Sequence, residues 1–220
     1  MSVYEQLKNA AQPDWDAYIQ HAFVRGLGDG TLAPECFAHY LQQDYLFLLQ
    51  FSRAWGLAVY KSRTLEQMRY AQQGINAMLD TEIGLHVQYC ADWGISEAEL
   101  ARLPEAAATV AYTRYVLDSG LAGDLADLHA ALTPCIVGYA EVARWLMDQP
   151  FTRREGNPYR AWIEMYASGE YQAVAAAEIR LLDALCADLP ARRLDELAQT
   201  FHTATRMEVA FWQMGLDLSA

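Results

Sequence analysis

The segment PECFAHYLQQDYLFLLQFSRAWGLAVYK, at residues 34–61, indicates the fold class of this chain. Its apolar residues recur at intervals of three and four, which is the spacing that the buried face of an α-helix requires. Pro34 suits the first turn of a helix, because that turn needs no backbone N–H donor. The segment therefore predicts one long α-helix.

The same spacing continues on both sides of this helix, and no stretch alternates apolar and polar residues for long enough to predict a strand. Capping-box patterns begin at Thr64 and Ser96. Further helices are predicted at residues 3–26 (with a kink or restart at Pro13), 64–93, 96–103, 105–117, 124–147, 159–167, 170–189 and 190–216. With short links and no internal repeat, the pattern predicts an all-α helical bundle that folds as a single domain over residues 1–220.

The composition excludes several classes of protein. The chain of 220 residues is 53% apolar and only 20% charged, which is unlike a disordered segment. Its net charge of -12 repels nucleic-acid phosphates and anionic lipids, so no nucleic-acid or membrane partner is expected. The N-terminus resembles no secretory signal, and the four cysteines form no CxxC pair. These features predict a cytoplasmic protein with reduced thiols.

A carboxylate interrupts the apolar run LQQDYLFLL of the helix predicted at residues 34–61. Asp44 and Phe47 are three residues apart, so they share one helix face. A lone carboxylate on such a face costs several kcal/mol unless something binds it. Asp44 is therefore either a core residue paired with a buried Tyr or Arg, or a carboxylate that accepts hydrogen bonds from a ligand on which Phe47 stacks.

A candidate nucleophile lies in the segment LTPCIVGY. Cys135 and Tyr139 are four residues apart and point into one space, and Gly138 leaves the neighbouring surface open to close approach. If Thr133 and Pro134 cap a new helix, the dipole of that helix favours the thiolate of Cys135. If Pro134 only kinks a continuous helix, this advantage is largely lost. The alternative is a buried, inert cysteine.

Glu208 precedes Phe211 and Trp212 by three and four residues, so it borders an aromatic face. It is either a surface glutamate or a carboxylic acid whose pKa is raised by apolar surroundings.

Three tyrosines lie on different predicted helices, each within an apolar stretch: Tyr112, Tyr139 and Tyr166. Any one of them is by default structural, but together they would form a hydrogen-bonding cage for a flat, neutral heteroaromatic ligand.

Metal and haem sites find little support. Glu82 and His86, four residues apart, form a helix-face hydrogen bond more readily than a metal site, because no second Glu-x-x-His motif accompanies them. His21 and His39, the candidates for a haem ligand, lie in mixed polar surroundings. The sequence also lacks a Gly-x-Ser-x-Gly elbow and a phosphate-binding loop.

Taken together, these segments resemble the thiaminase II (TenA) family over essentially the whole chain. The motifs that carry the resemblance are Gln43-Asp44-Tyr45-x-Phe47, Ala111-Tyr112-Thr113, Pro134-Cys135-x-x-Gly138-Tyr139, Asn157-Pro158-Tyr159-x-x-Trp162-Ile163-x-x-Tyr166 and Glu208-x-x-Phe211-Trp212-x-Met214. The resemblance implies a haem-oxygenase-like helical fold without haem, a homotetramer and no cofactor. It also implies hydrolysis of an aminomethyl-pyrimidine from degraded thiamine to the hydroxymethyl-pyrimidine and ammonia, with cleavage of thiamine as a side reaction.

The resemblance further implies a role for each matched residue. Cys135 is the nucleophile and Glu208 is the acid and base beside the leaving group. Asp44 and Tyr166 hydrogen-bond the pyrimidine nitrogens and the exocyclic amine. The ring is walled and oriented by Phe47, Tyr112 and Tyr139, although some relatives have Tyr at position 47. Two other functions stay open: a helical protein that binds pyrimidines without turnover, or a metal or haem oxidoreductase on a related fold.

Overall fold

The computed structural model describes residues 1–220, with the side chains of all of them except Thr81 and Asp92. It confirms the all-α prediction, since no strand occurs among the described residues. The helices are α1 (Val3–Ala10), α2 (Asp14–Ile19), α3 (Ala22–Asp29), α4 (Pro34–Lys61), α5 (Leu65–Asn76), a π-helical segment (Ala77–Glu82), α6 (Ile83–Asp92), α7 (Glu97–Leu100), α8 (Ala107–Ala122), α9 (Leu125–Asp148), α10 (Arg160–Ala167), α11 (Gly169–Cys186) and α12 (Ala191–Asp217).

The restart predicted at Pro13 is confirmed, but the N-terminal segment has a further, unpredicted break and so forms three short helices. α1 ends at Ala10, and α2 begins directly after Pro13, which has no N–H to continue the hydrogen-bond ladder. α3 begins after His21, whose ring nitrogen accepts a hydrogen bond from the backbone N–H of Phe23 at 3.3 Å. Histidine is an uncommon N-cap, so this helix start was not predicted.

The helix starts and the helix stop in the middle of the chain were predicted more accurately. Both capping boxes are present: the side chain of Thr64 caps the first turn of α5 and that of Ser96 caps α7. Gly94 stops the preceding helix with a left-handed φ of 78°. The π-helical segment between α5 and α6 was not predicted.

Helix α8 does not stop at Ser119 and Gly120 as predicted but continues to Ala122. The hydroxyl of Ser119 donates to the carbonyl oxygen of Tyr115, which keeps this serine inside the helix. A Cβ atom on Gly120 would lie 2.8 Å from side-chain carbons of Leu57 and Leu128. Gly120 therefore permits close packing within the helix and does not terminate it.

The chain forms two compact units. The first unit comprises Met1–Ala33 and His129–Gln213, and the second comprises Pro34–Leu128 and Met214–Ala220. In the second unit, α4 packs against α5, α6 and α8. No helix of the described residues combines the length and the apolar character that crossing a membrane would need.

The first unit has an aromatic core. The ring of Trp15 stacks on Phe201 with centroids 5.4 Å apart, and that of Phe23 stacks on Trp212 at 5.0 Å. The predicted turn at Asn157 is confirmed, since its side-chain oxygen accepts from the N–H of Tyr159 at 2.8 Å. The amide of Asn157 also donates to the carbonyl oxygens of residues 27 and 28, which fixes the start of α10 to the end of α3.

Candidate active site

Asp44, on α4 of the second unit, is buried and hydrogen-bonded. His86 Nε2 lies 2.6 Å from Asp44 Oδ2, and the hydroxyl of Tyr40 donates to the same oxygen at 3.2 Å. The side chain of Asp44 is 5% exposed and that of His86 is fully buried. The interpretation of Asp44 as a residue paired with a buried tyrosine is therefore correct in part. Its shorter contact is with His86, which was not predicted as its partner.

Both ring nitrogens of His86 face oxygen atoms. Nδ1 lies 2.7 Å from the carbonyl oxygen of Glu82, which can only accept a hydrogen bond, so Nδ1 carries a proton. Burial lowers the pKa of His86, but the hydrogen bond and the charge of Asp44 outweigh burial and raise it above its usual value. The charge of Asp44 thus favours the protonated, imidazolium form of His86. The predicted helix-face contact of Glu82 with His86 exists through the backbone of Glu82.

Two aromatic residues predicted to bind the ring lie in the same unit as Asp44, one of them one turn further along α4 and the other on α8. The rings of Phe47 and Tyr112 are both buried, with centroids 5.0 Å apart. Gln43 positions α8: its side-chain oxygen accepts from the N–H of Ala106 and the hydroxyl of Thr109, both at 2.8 Å. The second unit therefore brings two predicted ring-binding aromatic residues together on the two helices that Gln43 connects.

Cys135 lies in the first unit, on α9, which runs without a break from Leu125 to Asp148 through Pro134. The alternative in which Thr133 and Pro134 cap a new helix is therefore wrong, and Cys135 does not lie at the N-terminus of its own helix. Cys135 is half-buried, whereas the other cysteines are buried: Cys36, Cys90 and Cys186.

Gly138 permits a close approach, as predicted, but Tyr18 of the protein itself makes it, so the surface at Gly138 is not open. A Cβ atom on Gly138 would overlap the ring of Tyr18, which lies against the backbone of α9. The hydroxyl of Tyr18 donates to the carbonyl oxygen of Pro134 at 3.4 Å. Tyr18 thus fixes the helical turn that carries Cys135.

Tyr139 and Tyr166 belong to one aromatic cluster in the first unit. Their ring centroids are 4.9 Å apart, and Trp162 lies 4.7 Å from Tyr166. Trp212 contacts Tyr139 at 5.3 Å. Glu208 lies four residues before Trp212 on α12 and is 2% exposed, so the interpretation as a surface glutamate is wrong. The buried carboxyl group of Glu208 therefore lies on α12, the helix that contributes Trp212 to this cluster.

A second histidine–carboxylate pair lies close to Cys135 in the sequence. His129 Nδ1 is 2.8 Å from Glu178 Oε1, and the hydroxyl of Thr133 donates to the same oxygen at 2.9 Å. All three side chains are buried. This polar group was not predicted, because the partners lie on α9 and α11 and share no sequence motif.

The predicted site residues fall into two groups. The second unit holds Asp44, Phe47 and Tyr112, and the first unit holds Cys135, Tyr139, Tyr166 and Glu208. Neither Tyr40 nor His86 was predicted as a partner of Asp44. Tyr40 was detectable, because it precedes Asp44 by one helical turn, whereas His86 gave only the signal of a histidine within an apolar stretch.

Known proteins match nearly the whole chain. A protein from Haemophilus influenzae described as uncharacterized is 51% identical over 98% of this chain and 99% of its own length. The aminopyrimidine aminohydrolase of Halalkalibacterium halodurans is 36% identical over 99% of this chain and 96% of its own length. The crystal structure of a TenA family transcription regulator from Silicibacter sp. TM1040 is 47% identical, covers 97% of this chain and 96% of its own, and superposes with a TM-score of 0.90.

The family assignment agrees with these matches. The sequence model of the TENA/THI-4/PQQC family matches residues 8–218, which include every predicted site residue. The all-α fold, the motif around Cys135 and the buried carboxyl groups of Asp44 and Glu208 are consistent with that match. This chain is a member of the TENA/THI-4/PQQC family.

Proposed function

We propose that this protein hydrolyses aminopyrimidines in thiamine salvage, converting 4-amino-5-aminomethyl-2-methylpyrimidine and water to the 5-hydroxymethyl compound and ammonia, with thiamine cleavage as a side reaction. The observation that carries the proposal is the exposure of Cys135, the one cysteine of the described residues that is not buried. The aminopyrimidine aminohydrolase of H. halodurans, similar over the full chain, supports the reaction class.

Cys135 acts as the nucleophile. An amine on the methylene carbon of a neutral aromatic ring leaves poorly, because the ring cannot supply electrons without losing aromaticity. Addition of the Cys135 sulfur to a ring carbon breaks the aromaticity, and the ring electrons then expel the amine. Water adds to the methylene carbon, and the departing thiolate restores the aromatic ring.

Glu208 transfers the proton that these reaction steps require. The thiol proton passes to the Glu208 carboxylate and then to the leaving amine, which departs as ammonia. The attacking water returns one proton to Glu208, and the carboxyl group gives it back to the thiolate that leaves. Atoms and charge therefore balance over one turnover, and no cofactor or metal takes part.

The remaining predicted residues bind the ring. The Asp44 carboxylate accepts from the amino edge of the pyrimidine with charge assistance. Tyr166 hydrogen-bonds the pyrimidine ring. The faces of the pyrimidine contact Phe47, Tyr112 and Tyr139. The flat rings and the few polar groups match a small heteroaromatic ligand.

The proposal includes the domain organisation, the oligomeric state and the cellular location of the enzyme. Residues 1–220 act as one domain, and the chain assembles as a homotetramer, as the family resemblance implies. The four cysteines without a CxxC pair and the net charge of -12 fit a cytoplasmic protein that contacts neither nucleic acid nor membrane.

Product analysis tests the proposed function. Purified protein is incubated with 4-amino-5-aminomethyl-2-methylpyrimidine, and the hydroxymethyl product and ammonia are quantified against the Cys135→Ser variant. Equal amounts of both products, absent from the variant, are expected. Tight binding of the pyrimidine without turnover would instead identify a binding or regulatory protein.

A further inference from the structure

The carboxylate of Asp44 is held asymmetrically. Both hydrogen bonds that the described residues make to it fall on Oδ2, from His86 Nε2 at 2.6 Å and from the Tyr40 hydroxyl at 3.2 Å. Two donors on a single oxygen fix the plane and direction of a carboxylate. They also leave Oδ1 as the oxygen with which Asp44 can accept a further N–H group.

His86 is itself fixed at both ring nitrogens. The carbonyl oxygen of Glu82, four residues earlier on the same stretch of helix, accepts from Nδ1 at 2.7 Å. A ring held at one nitrogen by the backbone and at the other by a carboxylate has one orientation. The protonated form of His86, which the charge of Asp44 favours, places its positive charge beside Asp44 Oδ2 in a fully buried position.

A buried carboxylate without a cation would favour its neutral form, which donates a proton where the ligand needs an acceptor. A neutral hydrogen-bond donor at position 86 could orient Oδ2 but would not supply the charge. The pair with His86 gives Asp44 both a fixed orientation and a cationic partner.

From this geometry we infer that His86 is a positioning residue, which gives Asp44 a cationic partner and turns it so that Oδ1 accepts the exocyclic amine of the pyrimidine. The inference rests on the proposed function for the identity of the ligand. It adds that selectivity for the amino group depends on a residue that does not contact the ligand.

The test compares His86→Gln with the wild-type protein in calorimetric binding of two ligands, the hydroxymethyl-aminopyrimidine product and its analogue without the 4-amino group. A charge-assisted hydrogen bond accounts for about 10- to 100-fold in affinity, so the variant is expected to lose about that factor for the amino compound. The analogue should lose less than about threefold, because its binding does not use Asp44 Oδ1. In turnover, KM should rise by the same factor, with kcat within about threefold.

Two other histidine–carboxylate pairs provide matched controls. His129 pairs with Glu178 in a buried position at 2.8 Å, and His202 pairs with Asp14 in a half-exposed position at 2.7 Å. His129→Gln should lower the melting temperature much as His86→Gln does, yet leave the affinity ratio of the two ligands unchanged. His202→Gln should change neither the melting temperature nor the ratio.

Nuclear magnetic resonance of protein with ¹⁵N-labelled histidine gives a readout independent of the ligand. His86, assigned by its loss in His86→Gln, should show both ring nitrogens protonated at neutral pH, and this signature should weaken in Asp44→Asn. A neutral His86, an equal affinity loss for both ligands, or the same change of ratio in His129→Gln would each overturn the inference. Binding without turnover in the wild-type protein would instead contradict the proposed function alone.

Discussion

The ring of Tyr18 occupies the space in which a side chain at position 138 would lie, so the ring packs directly on the backbone of α9 at Gly138. Replacing a glycine inside a helix by alanine ordinarily stabilises a protein by up to about 1 kcal/mol. At Gly138 the substitution should instead destabilise the protein, since the added carbon must displace the buried ring of Tyr18. We expect Gly138→Ala to lower the free energy of unfolding by about 1–3 kcal/mol in urea denaturation.

Gly56 is the matched control for this prediction. It lies inside α4, is exposed, and has no atom within 4 Å of a built Cβ among the described residues. Gly56→Ala should therefore stabilise the protein. Stabilisation by both substitutions would mean that Tyr18 can move aside at little cost.

Cys135→Ser should reduce turnover of the aminopyrimidine by at least about 10³-fold while the pyrimidine still binds, because a hydroxyl is a far weaker nucleophile than a thiolate. The same substitution at Cys36, Cys90 or Cys186 should leave turnover within a few-fold. Burial raises the pKa of Cys90 to about 11, so this thiol is also a poor nucleophile. Iodoacetamide should accordingly modify Cys135 first, as mass spectrometry can show. Equal inactivation by any other substitution would indicate a different nucleophile.

Glu208→Gln keeps the shape of the side chain but cannot transfer a proton. It should lower kcat for the aminomethyl substrate by about 10²–10⁴-fold, because the amine must be protonated as it leaves. Thiamine should be affected less, since its thiazolium departs without needing a proton. Both substrates are measured on one preparation of the variant. The same loss on both would assign Glu208 a positioning role instead.

Asp44→Asn should weaken binding of the aminopyrimidine more than binding of an analogue without the exocyclic amine. A carboxylate accepts an N–H group with charge assistance, and an amide does so less strongly. Isothermal titration calorimetry with the two ligands measures the difference. A uniform loss of affinity would place Asp44 in the structural core only.

The stability of the fold should depend on pH through His86, whose pKa is raised above 6.5 in the folded protein. Because the folded protein binds the proton more tightly than the unfolded chain, this contribution is complete below about pH 6.5 and is lost as the pH rises through the folded pKa. The stability difference between wild type and His86→Gln should therefore shrink from pH 6 toward alkaline pH. Urea denaturation at a series of pH values measures it, and a constant difference would contradict the charged pair.

The parts of the fold that were predicted correctly depend on signals within a few residues. Helix α4 begins at Pro34 and ends at Lys61 as predicted, because its start signal and its apolar spacing lie in the same segment. The capping boxes at Thr64 and Ser96 were correct for the same reason. Pro134 was ambiguous, because a proline can begin a helix or kink one. The buried residues on both sides of it keep α9 continuous at the loss of a single backbone hydrogen bond.

The site was predictable to the level of residue types but not of partners. Asp44, Cys135 and Glu208 were selected because reactive groups on apolar faces are uncommon. The contact of Asp44 with His86 joins residues 42 positions apart, and that of His129 with Glu178 joins residues 49 apart. Such pairs depend on how helices pack, and the spacing within one helix contains no information about it.

The π-helical segment Ala77–Glu82 sets the rotational phase of the helix that carries His86. In a π-helix each hydrogen bond spans one residue more than in an α-helix, and one residue corresponds to about 100° around the helix axis. Deleting a single residue from this segment would therefore turn His86 by about that angle away from Asp44, although neither residue had changed. For the evolution of the site, the length of this segment is thus as strong a constraint as the identity of His86. Relatives that differ here by one residue are expected to have lost the pair.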